Sequence, residues 1–337
     1  MAKLGRPILT QRSQTAHRKN GGPTWIVLGA SGLLGSNFAL EARKRASVWA
    51  TFLKHPIQLS RCTSVALNIC DTMSSERLFQ DIRPDWILNC AALTDVDYCE
   101  KHPGQAREIN AIAAEGLARI ARRIGAGFVH ISTDSVFDGA GAPYQEVDAA
   151  RPVNAYAQSK LEAEERVLSV YSAALVIRVN FFGWGAGPKP SYNEWLLTRL
   201  ERAEPFPVFS DVSFNPLLAN TVAEMILDLT EQSQRGLVHL GCREPCTKLE
   251  FAYSLAEVFG TATTHFIRPA TVDAVGLVAR RPRRTNLDTQ LAERLLGRPM
   301  PTLREELVRL LNLRSTLRHE LLNIMTKATE NKCGTLP

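Results

Sequence analysis

The segment Thr24-Trp25-Ile26-Val27-Leu28-Gly29-Ala30-Ser31-Gly32-Leu33-Leu34-Gly35 carries the decision about the fold. Its first five residues are uncharged and mostly apolar, as a buried strand requires, and they run straight into a glycine-rich turn. From Leu34 to Arg45 the spacing is helical. Glycines at 29, 32 and 35 let a backbone approach a pyrophosphate at a helix N-terminus, where N–H groups and the helix dipole favour anions. Any tight strand-to-helix turn can use glycine, so it is the strand–turn–helix context that points to a dinucleotide. Gly29, Ser31, Gly32 and Gly35 thus belong to a candidate cofactor site.

Downstream, strands are expected near Ser47–Leu53, Ser64–Ile69, Asp85–Cys90, Phe128–Ser132 and Ala174–Val179. Helices are expected at Ser74–Ile82, Ala106–Arg123 and from Pro152 to Val170. This alternation predicts an α/β chain: a Rossmann-like, doubly wound parallel sheet over 24–180, to which later segments return. From Phe181 the pattern loosens into a smaller, interleaved C-terminal substrate lobe over 181–297. Its helices at Thr221–Thr230, Lys248–Phe259 and Thr289–Leu296 read as surface helices, with Leu237–Leu240 a short strand. Residues 298–337 read as a basic helical tail, with stretches at Leu303–Leu311 and Leu317–Lys327.

The net charge of +6 over 337 residues suggests a polyanion partner until it is placed along the chain. Residues 1–23 hold Lys3, Arg6, Arg12, Arg18 and Lys19, and the first carboxylate is Glu41. The remainder is nearly neutral. This leader, lacking an apolar h-region, reads as a disordered extension or an over-long start rather than as a targeting segment. It interleaves no aromatics with its cations, which argues against nucleic acid, and no run has the roughly 18–20 apolar residues of a membrane span. Seven scattered cysteines (Cys62, Cys70, Cys90, Cys99, Cys242, Cys246, Cys333) contain no C-x-x-C pair. No metal site and no disulfide framework is expected, and a reducing cytoplasm fits.

Sites binding NAD usually place a carboxylate about 20 residues after the glycines to hold the ribose 2′-OH. Here Ala50-Thr51-Phe52-Leu53-Lys54-His55 contains none, which favours NADP(H) over NAD(H). Lys54, and His55 after it, could face a 2′-phosphate; the alternative is that Lys54 is a solvated loop cation. The strongest signal is Tyr156-Ala157-Gln158-Ser159-Lys160, a phenol and an ammonium four apart on one helix face. A neighbouring cation would lower the phenol pKa from about 10, suiting general acid–base work on a carbonyl/alcohol pair. Thr133 follows a central strand, where its hydroxyl can polarise the same carbonyl.

Together these pieces resemble the extended short-chain dehydrogenase/reductase family. Within it they are most similar to dTDP-4-dehydrorhamnose reductases and the related regulatory β subunit of methionine adenosyltransferase. The resemblance runs from about Trp25 to Gly297, through GASGLLG at 29–35, Asn89-Cys90-Ala91-Ala92 with Thr94 and Val96-Asp97, and Ile109-Asn110-Ala111. It continues through ISTDSVFDG at 131–139, Pro152-Val153-Asn154-Ala155-Tyr156 with Lys160, and Arg281-Pro282-Arg283-Arg284-Thr285-Asn286-Leu287-Asp288. It implies that Gly32, Leu33 and Leu34 contact a pyrophosphate, that Asn68 and Ile69 lie by the adenine, and that Ala91, Ala92 and Leu93 line the nicotinamide-side pocket. Thr133, Tyr156 and Lys160 would be the catalytic trio, with Tyr156 and Lys160 also touching the cofactor. Asp134, Ser135 and Phe181 would face the substrate.

Three positions depart from the reductase pattern: Ser135 replaces a tyrosine, Phe181 a tryptophan and Asn68 an aspartate. The resemblance implies NADPH-dependent reduction of the 4-keto group of a nucleotide-linked 6-deoxy-hexose. The alternative is a non-catalytic, cofactor-binding regulatory subunit. The expected partner is a nucleotide-sugar substrate, with no nucleic acid and no membrane, and a homodimer is compatible with the sequence.

Overall fold

A computed structural model describes residues 22–187 and 189–315. The expectations for most of the leader and for Leu317–Lys327 lie outside the described residues. The strands β1 (Thr24–Leu28), β2 (Ser47–Phe52), β3 (Cys62–Ala66), β4 (Trp86–Asn89), β5 (Gly127–Ser132) and β6 (Leu175–Val179) pair in parallel. A further strand, Gly236–Leu240, joins β6, giving the order Gly236–Leu240, β6, β5, β4, β1, β2, β3. The chain therefore reverses direction across the sheet between β1 and β4, where open α/β sheets leave a crevice at the strands' carboxyl ends.

Along β1, Trp25 and Val27 enter one apolar cluster and Ile26 and Leu28 another, so both faces of the sheet are covered. Helix α1 (Leu33–Ala42) lies over the first face; α2 (Thr72–Ile82), α5 (Ala113–Ile124) and α6 (Ala155–Val170) cover the second. Between them run α3 (Val96–Lys101) and α4 (Pro103–Arg107), and a π turn at Glu108–Ile112 leads into α5. The helix expected at Ala106–Arg123 is thus a composite. The third strand lies two to three residues earlier than expected, because β2 fixes its register from Val48↔Cys62 to Phe52↔Ala66.

Helix α6 begins at Ala155 rather than Pro152, because Asn154 is its cap. The Asn154 Oδ1 accepts from the Ala157 N–H at 2.9 Å, and its Nδ2 donates to the Arg280 carbonyl at 2.8 Å.

The lobe holds α7 (Tyr192–Arg202) and three two-stranded ribbons. These pair β7 (Phe181–Phe182) with β10 (Leu217–Leu218), β8 (Phe206–Phe209) with β13 (Ile267–Ala270), and β9 (Ser213–Phe214) with β12 (Cys246–Thr247), β11 being the sheet strand Gly236–Leu240. Helices α8 (Ala219–Glu231), α9 (Lys248–Val258), α10 (Gln290–Leu296) and α11 (Leu303–Asn312) complete the described chain. Of the expected surface helices, α8 is a correction. Ten of its thirteen residues are buried, since it packs on α1 and is pinned by α11. Arg309 of α11 grips Glu224, and Asn220 donates to Glu41. Residues 219–240 therefore belong to the sheet layers, and α11, within the expected helical stretch, is docked on them.

Both Cys242 and Cys246 are buried free thiols, and no metal-holding cluster exists among the described residues. No helix among those residues is long and apolar enough to cross a membrane.

Candidate active site

A cleft of about 610 Å³ opens at the switch point. Gly32, Leu33, Leu34 and Gly35 of the α1 N-terminus form one wall; Thr133, Tyr156 and Lys160 form another; Asn180, Phe181, Gly185, Gly187 and Lys189 to Ser191 close it. Three glycines of the turn are there for different reasons. Gly29 sits at φ +75°, and a Cβ would lie 2.8 Å from the Ala91 Cα. At Gly35 a Cβ would strike the Gly29 carbonyl at 2.5 Å, so this glycine lets helix and strand approach. Gly32 is the N-cap and offers no side-chain cap, leaving the first turn of a ten-residue helix facing the cleft. That is a fit for a pyrophosphate: backbone donors, a positive dipole end and no acidic side chain in the first turn.

Not every predicted residue reaches the cleft. Ser31, Ala92 and Phe181 line it; Gly29, Ala91 and Leu93 stand behind it. Lys54 is exposed and is not part of the lining, whereas His55 is. Asn68 uses its Oδ1 to accept from the Cys70 N–H at 3.1 Å, and Ile69 is buried. Neither lines the cleft.

Asp134 and Ser135, expected to face a substrate, do not line it either. The Asp134 carboxylate is buried and accepts from Thr285 Oγ1 at 2.8 Å, Asn180 Nδ2 at 3.2 Å and Ser135 Oγ at 3.2 Å. It ties the end of β5 to the Arg281–Asp288 segment. Gly139 makes the same join by backbone, since a Cβ there would lie 2.8 Å from the Arg283 nitrogen.

Within the trio, the Thr133 hydroxyl accepts from the Ser135 N–H at 3.1 Å, donates to Asp134 Oδ1 at 3.1 Å and hydrogen-bonds with Tyr156. Burial pushes the Tyr156 phenol well above 10, with the Thr133 bond opposing and Asp134 adding to the rise. The lowering expected from Lys160 is not realised, because the Lys160 amine is engaged elsewhere. It donates to the Ile131 carbonyl at 2.6 Å and meets His130 Nε2 at 3.2 Å. Burial brings Lys160 down to about 8, against the pull of Glu164 and Cys90.

Sequence reasoning assigned no role to several residues that build this site. Buried Asn110 accepts from the Leu93 N–H at 2.7 Å, and its Nδ2 donates to the Leu93 carbonyl and to Ser159 Oγ at 3.0 and 2.9 Å. It thereby fastens the loop after β4 to the helix carrying Tyr156 and Lys160. Asn180 adds a polar group to the cleft floor. Asn110 stands in the Ile109-Asn110-Ala111 motif and Asn180 immediately precedes Phe181, and those positions were their one legible signal. Trp184 is packing: it is buried, and its indole N–H donates to the Leu310 carbonyl at 2.9 Å.

This geometry has counterparts. The chain is 32 % identical over 289 residues to the probable low-salt glycan biosynthesis reductase Agl14 of Haloferax volcanii, covering 85 % of this chain and 96 % of that protein. It is 32 % identical over 291 residues to the methionine adenosyltransferase 2 subunit beta of Xenopus laevis, covering 82 % and 84 %. Among solved structures, dTDP-4-dehydrorhamnose reductase of Bacillus anthracis in complex with NADP superposes with a TM-score of 0.78. That match has 26 % identity and covers 86 % of this chain and 99 % of the other. The family described as RmlD substrate binding domain matches residues 24–315, from the first strand through the docked helix α11. With the parallel sheet, the glycine turn and the Tyr156/Lys160 face all inside that span, the chain belongs to the RmlD substrate binding domain family of extended short-chain dehydrogenase/reductase-like proteins.

Proposed function

We propose that this protein reduces the 4-keto group of a nucleotide-linked 6-deoxy-hexose, with NADPH favoured over NADH. The observation that carries this reading is one cleft holding both the α1 N-terminus and the Thr133/Tyr156/Lys160 group. Gly32, Leu33, Leu34 and Gly35 would hold the dinucleotide pyrophosphate, with His55 toward the adenine-ribose end and Ala92 toward the reacting end. When bound, the dinucleotide supplies the hydride. The chain's own residues manage the oxygen: the Thr133 hydroxyl, which donates to Asp134 in the empty site, turns its one proton to it, and Tyr156, a protonated phenol across the neutral range, gives up the proton the new alkoxide needs. Phe181 offers a face for a sugar ring, and Lys160, one helical turn from the tyrosine, lines the same cleft.

A second reading, a dinucleotide-binding partner subunit without turnover, is favoured by the identity to methionine adenosyltransferase 2 subunit beta. One experiment separates the two. The isolated chain is mixed with NADPH and a panel of 4-keto-6-deoxy nucleotide sugars, and absorbance at 340 nm is followed. Turnover that falls ~100-fold or more in Tyr156→Phe, with dinucleotide affinity within twofold, supports the reductase. Dinucleotide binding without oxidation on any sugar sinks it in favour of the subunit.

A further inference from the structure

Behind the trio lies a buried histidine that the proposed reaction leaves unused. His130, on β5, has no solvent exposure and bridges two strands to α6: its Nδ1 meets Asn89 Nδ2 at 3.1 Å, and its Nε2 meets Lys160 Nζ at 3.2 Å. Burial and the nearby Lys160 hold the imidazole pKa well below 6.5, so the ring is neutral and carries one proton.

The polarity of this chain is fixed at its far end. A backbone N–H can only donate, and that of Ala91 donates to Asn89 Oδ1 at 3.2 Å. The Asn89 amide nitrogen is therefore the group facing His130, and it donates to Nδ1. With Nδ1 an acceptor, the single imidazole proton sits on Nε2, aimed at Lys160 Nζ. An ammonium cannot accept that bond; a neutral amine can, while still donating to the Ile131 carbonyl at 2.6 Å. The hydrogen bonds from Ala91 through Asn89 and His130 are consistent in one direction only, and that direction requires a lone pair on Lys160.

We propose that His130 is a positioning residue for Lys160, making its amine a hydrogen-bond acceptor, so that the empty site releases the Lys160 proton readily and recovers it when a polyanionic dinucleotide enters. The second half rests on the dinucleotide reading above; the first does not. The groups facing the amine agree with a labile proton. Burial outweighs Glu164 on α6, whose carboxylate is already paired with Arg178 of β6, and Cys90 at the end of β4, whose thiol burial keeps protonated. Tyr156, on the same helix face, stays protonated, and Asp134 beyond it is saturated with donors. An anion in the cleft that Lys160 lines favours the charged amine. Dinucleotide binding should then take up a proton wherever the empty amine is largely neutral.

Two measurements test this. In the unliganded protein at pH 9, ¹⁵N NMR of the imidazole, assigned by difference against His130→Gln, should report the Nε2–H tautomer; the Nδ1–H tautomer overturns the proposal. Proton uptake on adding NADH at pH 9, read calorimetrically in buffers of different ionisation enthalpy, should be about 0.5–1 proton per site. Asn89→Asp lets the residue accept from both Ala91 and Nδ1–H, reverses the chain and leaves Lys160 charged. Its uptake should fall below about 0.2 proton. Unchanged uptake in that variant, or none in the wild type despite binding, overturns the coupling. A chain that binds neither NADH nor NADPH refutes the dinucleotide reading and the coupling with it, while the tautomer still decides the role of His130.

Discussion

Removing the charge of Glu164 should be among the most damaging single changes in this protein. Glu164 lies one turn beyond Lys160 on α6, and Arg178 reaches it from β6 with Nη2 at 2.6 Å and Nε at 3.0 Å. Both side chains are about 5 % exposed or less. Ser132 at the end of β5 donates to the same carboxylate, and the guanidinium lies 4.9 Å from the Phe137 ring centroid. The pair therefore pins the helix bearing Tyr156 and Lys160 to the two strands beneath it. In Glu164→Gln the guanidinium keeps a partner for one hydrogen bond but is left as an uncompensated buried charge, which costs about 3–5 kcal/mol. For a chain of this size that corresponds to a fall in Tm of roughly 5–8 °C. Replacing both partners, Glu164→Leu with Arg178→Met, removes both desolvation penalties and should cost about 2 kcal/mol or less. Urea unfolding of Glu164→Gln, of the singles Glu164→Leu and Arg178→Met, and of their double variant measures the coupling. A Glu164→Gln cost below about 1 kcal/mol, or a double variant as unstable as the sum of the singles, would refute the reasoning.

Three further outcomes follow from local geometry. Gly29→Ala combines a positive φ with a Cβ overlapping Ala91, and should destabilise by about 2–4 kcal/mol while abolishing dinucleotide binding; near-wild-type binding would count against the turn geometry. His55→Ala should weaken NADPH binding by about three- to tenfold and NADH by less than twofold, with Lys54→Ala nearly silent, since only His55 lines the cleft. The opposite ranking in a fluorescence titration would return the 2′-phosphate to Lys54. His239 is buried beside Arg178, and its pKa falls from 6.5 to about 4, burial being the larger cause. The unfolded chain binds more protons between these values, so stability is full above pH 6.5 and is lost as pH falls toward 4. His239→Gln should flatten that slope in pH-dependent urea unfolding, and an unchanged slope would assign it to other groups.

The sheet was legible because each central strand is mostly apolar on both faces, His130 and Arg178 apart, and ends at a glycine or a polar cap, so composition and punctuation agree. Helix α8 was misread because its polar residues look like a solvated face in sequence. In the fold Asn220 meets Glu41, and Thr221 meets Glu306 at 2.9 Å across 85 residues of chain. No local periodicity contains those partners. The same limit hid the Glu164–Arg178 pair, which is a helix residue and a strand residue until the fold brings them together. Lys54 and His55 differ by one position in a turn, and only the turn's geometry decides which of them faces the cleft.

The Tyr156/Lys160 spacing shows where a correct pattern still gave the wrong electrostatics. Four residues of separation does place both side chains on one face of α6, and both line the cleft. The inference that the cation lowers the phenol pKa assumed that the amine points its charge at the phenol. Instead the amine is drawn to the Ile131 carbonyl and to His130 on β5, and burial moves the two groups in opposite directions, the phenol up and the amine down. Each shift favours the neutral form. A neutral phenol is a proton donor, which a carbonyl reduction needs at the oxygen, whereas the reverse oxidation needs an acceptor there. For the proposed reaction, the empty site thus favours the reductive direction. Running it backward requires first removing a proton from Tyr156, which burial holds in place.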